Sequence, residues 1–337
     1  MTLNVALFGA GRIGKVHAAS IKSDPRAQLV AVTDVMEQAA AELASEHGIA
    51  VRSADEILND RSIDVILIAS STNTHADLIE RGIAAGKAVF CEKPIDLDLE
   101  RARKVVASVS AAGKPVMMGF NRRFDPNFST LKAAYDAGDI GKGELLAVTS
   151  YDPAPPPVGY IKVSGGLFRD MMIHDFDICC WLFGMPETLS ATGSCLVDPA
   201  IGEAGDIDTA VVVLTYADGR IATIRNSRRA VYGYDQRLEL LGADGLLSVE
   251  NQLETTVRKA TTSGVTSAKP QLFFLERYMR AYEIEWGAFL DALIADAPMP
   301  ATVQDGVNAL ALAEAANISL REGRPVTITA ELTGVAK

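Results

Sequence analysis

Cysteine, histidine and tryptophan are scarce in this sequence: its 337 residues include four cysteines, four histidines and two tryptophans. Cys179 and Cys180 are neighbours that would diverge on a helix, and Cys91 and Cys195 lie far from them. No disulfide framework is expected, and the usage suits a reducing cytoplasm. No cysteine cluster has zinc spacing, and His17, His47, His75 and His174 are scattered along the chain, so no catalytic metal is expected. Basic residues are also in deficit. With 32 Lys and Arg against 43 Asp and Glu, the formal charge is −11. That argues against nucleic acid or an anionic membrane as partner, though a small anionic cofactor needs only a local positive site. No apolar run is long enough to span a bilayer. The opening "MTLNVALFGAGRIG" lacks a basic leader and runs straight into a glycine motif, so no signal peptide is expected. Repeats are missing, and "APPP" is the only low-complexity tract.

What remains is 48% hydrophobic and 22% charged, enough to fill the cores of two ordinary domains. The first begins with "NVALFG", an apolar strand, followed by Gly9, Gly11 and Gly14 in G-x-G-x-x-G spacing and then a helical pattern. "AQLVAVTD" is the second strand, closed by Asp34 roughly twenty residues past Gly14. Gly9 permits the tight turn, Gly11 the approach of a pyrophosphate, and Gly14 close packing of helix on strand. The helix N-terminus offers N–H groups and a positive dipole end to the phosphates. Asp34 can accept from the ribose hydroxyls and would repel a 2′-phosphate, which favours NAD over NADP.

The alternation continues through "SADEILND" (helix from Ser53), "IDVILIAS" (a strand buried on both faces), "STNTHADLIERGIAAG", "AVFCEKP", "LDLERARKVVASVSAAG" and "PVMMGF". Such alternation predicts a doubly wound parallel sheet over residues 1–120, whose ligands bind at the carboxyl ends of the strands. Those ends carry Ser70 to His75, then Glu92 and Lys93, then Asn121 and Arg122. Lys93 stands at a strand end before Pro94, where its charge could stabilise a developing alkoxide; as an ordinary surface neighbour of Glu92 it would contribute little.

From Asn121 the pattern changes. After the helix "PNFSTLKAAYDAGDIG", strands dominate: "ELLAVTSYD", "LSATGSCLV", "DTAVVVLTYADGRIATIRNSRRAV" and "QRLELLGADGLLSVEN". Asp218-Gly219 and Asp244-Gly245 read as tight hairpin turns. Residues 121–337 are therefore expected to form an α+β domain with a large, mostly antiparallel open sheet, one face covered by helices and the other free to pack on another subunit. "DPAPPPVGYIKVSGG" reads as a loop of restricted conformations. The tail holds two helices, the second starting near a Thr302 cap, and a final strand "PVTIT".

Within this domain "SGGLFRDMMIHDFDICCWL" places Asp170, His174 and Asp177 at i, i+4 and i+7, one face of a continuous helix. Such a row could bind a metal, cap and pair structurally, or move a proton. His174 has the residue type for a base near neutrality, and Asp170 could orient it. Asp177, one turn deeper, reads as a support.

"GAGRIG", "CEKP" and "GGLFRDMMIHDFD" together resemble the glucose–fructose oxidoreductase/inositol dehydrogenase (Gfo/Idh/MocA) family over essentially the whole chain. "PAPPPVGYIKVSGGLFRDMMIHDFD", "YGYDQRLELLG" and "FFLERYMRAYEIE" carry a narrower likeness to its inositol-oxidising members. The resemblance implies a Rossmann domain and an open-sheet domain used for assembly into tetramers or dimers. It implies Lys93, Asp170 and His174 as catalytic residues. It implies NAD contacts from Gly9, Gly11, Arg12, Ile13, Gly14, Asp34, Ser70, Thr72, Asn73, His75, Glu92 and Lys93. Substrate contacts would come from Asn121, Arg122, Asp152, Asp170, His174 and Tyr232 or Tyr234. Where many relatives have arginine, this chain has Cys180 before Trp181, which implies an effect on packing or an interface. The implied reaction is NAD-dependent oxidation of a small cyclitol, myo-inositol to 2-keto-myo-inositol, in inositol catabolism. Another cyclitol such as scyllo-inositol, or a sugar, is the alternative. A non-catalytic NAD-binding regulator would be expected to lack the lysine or the Asp/His pair.

Overall fold

Short β-branched strands that repeat between amphipathic helices can hide both faces only by stacking side by side between two helical layers. In the computed structural model, which describes residues 2–334, the first part of the chain does this. In chain order it contains β1 (Leu3–Phe8), α1 (Arg12–Ser23), β2 (Ala27–Thr33), α2 (Glu37–His47), β3 (Ala50–Val51), α3 (Ala54–Asn59), β4 (Val65–Ile68), α4 (His75–Ala84), β5 (Ala88–Glu92), α5 (Leu99–Ala112) and β6 (Val116–Gly119). The six strands are parallel in the order β3-β2-β1-β4-β5-β6. That order reverses between β1 and β4, which makes a topological switch point there. β4 is wholly buried, as its unbroken apolar run requires. Ser53 and Glu56 form a capping box on α3, and Asp98 caps α5.

The rest of the chain runs α6 (Pro126–Asp136), β7 (Gly143–Tyr151), α7 (Val158–Ser164), α8 (Gly166–Asp170), α9 (Ile173–Phe183), β8 (Thr188–Ser194), α10 (Pro199–Glu203), β9 (Thr209–Thr215), β10 (Ile221–Ser227), β11 (Asp235–Gly242), β12 (Gly245–Val249), β13 (Arg258–Thr261), β14 (Gly264–Ser267), α11 (Phe274–Ala295), α12 (Val303–Glu322), β15 (Val326–Thr327) and α13 (Ala330–Thr333). Seven strands form one sheet, β12-β11-β7-β10-β9-β8-β15, antiparallel at every junction except the parallel pair β7–β10. β9 and β10 alternate buried and more exposed residues, the mark of a sheet with one covered face.

Two compact units result: the chain up to Phe124 together with Arg280–Leu310, and Asp125–Met279 together with the chain from Ala311. This differs from a single break after residue 120, because 280–310 carries core for the first sheet. Phe90 on β5 packs edge-on against Trp286 and Phe289, and Tyr282 meets the His17 ring. All three of Phe90, Trp286 and Phe289 are essentially inaccessible to solvent, each contributing about 1.5–3 kcal/mol of burial. Met118 of the edge strand β6 donates its N–H to Ala301, and Gly306 lets α12 close on Ile95. Thr302 caps α12 reciprocally with Asp305, as its position suggests.

Two local expectations are corrected. Val158–Ser164 is helical rather than loop, because its prolines precede the first turn instead of interrupting it. Asp170 and His174 do not share one helix: Met171 and Met172 both donate to the Leu167 carbonyl, α8 ends at Asp170, and α9 starts anew at Ile173. The hairpin at Asp244-Gly245 forms as expected, with Gly242 opposite Gly245, but without a left-handed residue: the Ala243 and Asp244 N–H groups donate to the Lys142 and Ile140 carbonyls. The exposed hairpin β13–β14 has no strong alternation in sequence and was not foreseen.

In the second unit Asp125 both caps α6 and pairs with Arg277, the two side chains at most 2% exposed. Removing one member of such a pair strands the other without water. Arg277→Ala is expected to lower unfolding free energy by about 3–5 kcal/mol, read from the denaturant midpoint; a loss below about 1 kcal/mol would show the pair to be solvated.

Candidate active site

The glycine loop is built by contacts that only glycine permits. Gly9 has φ +106°, and a Cβ there would lie 2.5 Å from the Ala69 carbonyl oxygen. A Cβ on Gly14 would lie 2.1 Å from the Gly9 oxygen, so α1 can press onto the loop. Gly11 is different: nothing lies within 4 Å of its Cβ position, and no side chain caps α1. The backbone at Gly11 can therefore be approached closely beside the start of α1, as the pyrophosphate reading of this loop requires. Arg12 is exposed next to it and Ile13 half-buried.

Asp34 closes β2 and reaches back across the loop. Its Oδ2 accepts from the Ala10 N–H at 2.6 Å and its Oδ1 from the Met36 N–H at 2.8 Å. The carboxylate is thus fixed with its remaining lone pairs outward, a fit for ribose hydroxyls.

The other strand ends are tied together. Ser70 Oγ and Thr74 Oγ1 lie 2.7 Å apart, and Thr72 and Asn73 form the 3-10 turn before α4, with Asn73 exposed. His75 is buried; its Nδ1 meets the Pro94 carbonyl at 2.7 Å and its Nε2 the Ser70 carbonyl at 3.0 Å. It ties the end of β4 to the segment carrying Lys93, whose bond to Pro94 is cis. Glu92 turns toward α1, its Oε1 2.8 Å from His17 Nε2. Gly119 leaves it room, since a Cβ there would touch the Glu92 side chain at 3.2 Å. Lys93 is half-buried beside it. Asn121 and Arg122 are buried in a 3-10 turn after β6.

In the second unit, Asp170 Oδ1 accepts from the Tyr160 hydroxyl at 2.9 Å, and Oδ2 lies 3.6 Å from Arg228. His174 is half-buried in the first turn of α9. Asp177 is buried, as a support would be, and Asp175 is bonded to Asn226 of β10 at 2.8 Å. Asp152 is fixed through its backbone to Ser227 and Ala230. The two aromatic candidates separate. Tyr232 is 44% exposed, with its hydroxyl 2.5 Å from Asp235; burial and that carboxylate push the phenol up to about 12. Tyr234 is buried against Tyr278. Cys180 sits beside Met185, with the sulfur atoms 3.4 Å apart, a packing contact in keeping with its place off the Asp170 segment. Tyr160, Asp206 and Arg228 went unread in the sequence. They come from a proline-rich stretch, a short turn and a strand end, none of which carries periodicity.

Among the described residues no group of three or more His, Cys, Asp or Glu is placed to hold a metal, and no helix is long and apolar enough to cross a membrane.

A 3-2-1-4-5-6 sheet, an uncapped helix behind a glycine loop and a fixed acid at the second strand define an NAD-dependent oxidoreductase. Residues 3–120 match the oxidoreductase family with NAD-binding Rossmann fold, and 128–248 match the GFO/IDH/MocA C-terminal domain; the chain belongs to this family. It is similar to inositol 2-dehydrogenase of Rhizobium meliloti (strain 1021), 48% identical over 97% of this chain and 100% of that protein. It is 44% identical to myo-inositol 2-dehydrogenase of Thermotoga maritima, over 97% and 98%. Among solved structures, scyllo-inositol dehydrogenase from Lactobacillus casei with bound NAD(H) and scyllo-inositol superposes with a TM-score of 0.89 at 29% identity, covering 97% of this chain and 99% of that one.

Burial of His75 lowers its proton affinity from an ordinary 6.5, and the two carbonyls and Glu92 offset part of this. A depressed histidine means that the unfolded chain binds the proton first, so this contribution is present above about pH 6.5 and lost as pH falls below it. The thermal midpoint is expected to decline below that pH, less steeply in His75→Gln; identical slopes would exclude His75 as a source.

Proposed function

We propose that this enzyme oxidises a secondary hydroxyl of a cyclitol, myo-inositol, to 2-keto-myo-inositol with reduction of NAD. The reading is carried by the likeness, along nearly the whole chain, to proteins named inositol 2-dehydrogenase. Its division of labour assigns NAD to residues 1–120 and substrate to 121–337.

The cofactor residues are Gly9, Gly11, Arg12, Ile13, Gly14 and Asp34, with Ser70, Thr72, Asn73, His75, Glu92 and Lys93 at the later strand ends. His75 and Glu92 act here through what they hold, given that both are engaged by protein partners. Together these residues would hold NAD, whose nicotinamide would supply the acceptor for the carbon-bound hydride. The protein's part is the proton. A ring nitrogen of His174 accepts it from the hydroxyl, and Asp170 orients the ring and stabilises the imidazolium. Lys93 gives a positive charge to the oxygen as it becomes alkoxide-like. Asn121, Arg122, Asp152 and Tyr232 are proposed to read the other hydroxyls; Tyr234 is the weaker candidate because its ring is buried. A donor left unpaired by the wrong epimer is the means of discrimination.

All four cysteines are free thiols, in keeping with a cytoplasmic enzyme of inositol catabolism. The uncovered face of the seven-stranded sheet carries Leu145, Val211, Ile221, Leu241 and Leu246, each at least 40% exposed. Leu145 pairs with both Ile221 and Leu241, and Leu241 with Leu246, so these four side chains form a continuous row suited to assembly of a homotetramer.

NAD reduction against a panel of polyols tests the function: myo-inositol should be preferred, and indifference to every cyclitol would sink the reading. In that assay His174→Ala and Lys93→Met should each lose at least about a hundredfold in turnover, with NAD still bound. Asp34→Ala should weaken NAD more than NADP; an unchanged ratio would refute its ribose role. Light scattering should give a tetramer that Ile221→Lys dissociates, and a monomeric wild type would exclude assembly through this face.

A further inference from the structure

The second unit buries a cation that the chemistry above leaves unused. Arg228, just past β10, has a side chain only 1% exposed. Its Nη2 lies 3.6 Å from Asp170 Oδ2 and 4.0 Å from Asp206 Oδ2. Neither Nε nor Nη2 has a hydrogen-bond partner among the described residues. This is unlike Arg277, which grips Asp125 through both terminal nitrogens. Arg228 holds two carboxylates at ion-pair distance without gripping either, so what it contributes is charge rather than a clamp.

The surroundings are built to keep that arrangement. Asp206 Oδ1 accepts from the Leu167 N–H at 3.1 Å, at the start of the helix that ends in Asp170. Gly166, at φ +80°, makes the approach possible, since a Cβ there would lie 2.6 Å from that oxygen. Asp206 Oδ2 is buried without a hydrogen-bond partner. The other groups nearby are accounted for. Tyr160 of α7 donates to Asp170, Arg169 pairs with Glu314 of α12, and on α9 Asp175 is bonded to Asn226 while Asp177 is buried.

We propose that Arg228 is a positioning residue that sets the proton affinity of the Asp170/His174 pair, with Asp206 as its counterweight. The proposal rests on the reading of His174 as the base. A buried positive charge favours the deprotonated forms of its neighbours, and a buried negative charge favours the protonated ones. The Arg228 charge, 3.6 Å from Asp170, therefore weighs against a proton on the pair. Asp206 partly cancels Arg228. Burial raises the Asp206 carboxyl from its ordinary 3.8, so this cancellation fades as the medium becomes acidic.

The two charges predict shifts of opposite sign. The full-length enzyme, labelled with 13C at histidine Cε1 and saturated with NAD, has four histidines to resolve, and His174→Asn identifies the signal of His174. In Arg228→Met its titration midpoint should rise by about one pH unit, and in Arg228→Lys it should stay near wild type. In Asp206→Asn, which keeps the acceptor for Leu167, the midpoint should fall. Unmoved midpoints in Arg228→Met and Asp206→Asn would overturn the proposal. If Arg228→Met does not fold, the direction of the Asp206→Asn shift decides alone. The acid limb of kcat/KM on myo-inositol should follow the same order. A wild type inactive on every cyclitol would defeat the substrate reading, while the titration would still decide the role of Arg228.

Discussion

A carbonyl oxygen 2.1 Å from the place of a Cβ is a distance no side chain survives, and the first unit is organised around that exclusion. Because position 14 is glycine, α1 can start directly over the Gly9 turn. Because α1 starts there, its N-terminus lies at the switch point of the sheet with no side-chain cap. Asp34 then fixes the loop through Ala10, so the start of α1 and the end of β2 are set by one short network. His75 does for the β4 and β5 ends what Asp34 does for β1 and β2, tying backbone to backbone at the positions where ligand contacts belong.

The second unit solves a different problem, that of placing ionisable groups against one another in or near its interior. Asp125 and Arg277 meet through hydrogen bonds from both terminal guanidinium nitrogens. Asp170 and Asp206 instead stand at ion-pair distance from Arg228, with Gly166 admitting the Asp206 carboxylate to the backbone. Desolvation penalises each charge, and the remaining interactions decide which stay ionised. Asp235 shows the balance settled the other way from Asp206. Burial alone would raise its carboxyl, but Arg237, Tyr232 and Asn251 together bring it below its ordinary value.

The parallel sheet was readable because each signal came with a partner at fixed spacing: glycine with glycine, strand with acid, apolar run with helix. Ser53 and Thr302 were readable for the same reason, since a cap and its reciprocal acid lie three residues apart. The segment from Gly165 to Phe183 was misread as one helix because its periodicity persists through a break made by two N–H groups sharing the Leu167 carbonyl. No sequence pattern records that bifurcation. Arg228 and Asp206 were invisible for a related reason. Their meaning lies in distances to Asp170 across the fold, and neighbours in sequence say nothing about them. Tyr232 and Tyr234 were equivalent in sequence and separate only once burial is known.

The cover on β5 and β6 has a consequence for how the protein is made. Trp286, Phe289 and the Ala301 carbonyl follow the entire second sheet in the chain. A ribosome therefore delivers six parallel strands with an aromatic face bare and an edge unpaired, and holds them so until nearly the whole chain has emerged. Until residues 280–310 are made, Phe90 lacks its aromatic partners and β6 its backbone partner, an exposed surface of the kind that aggregates.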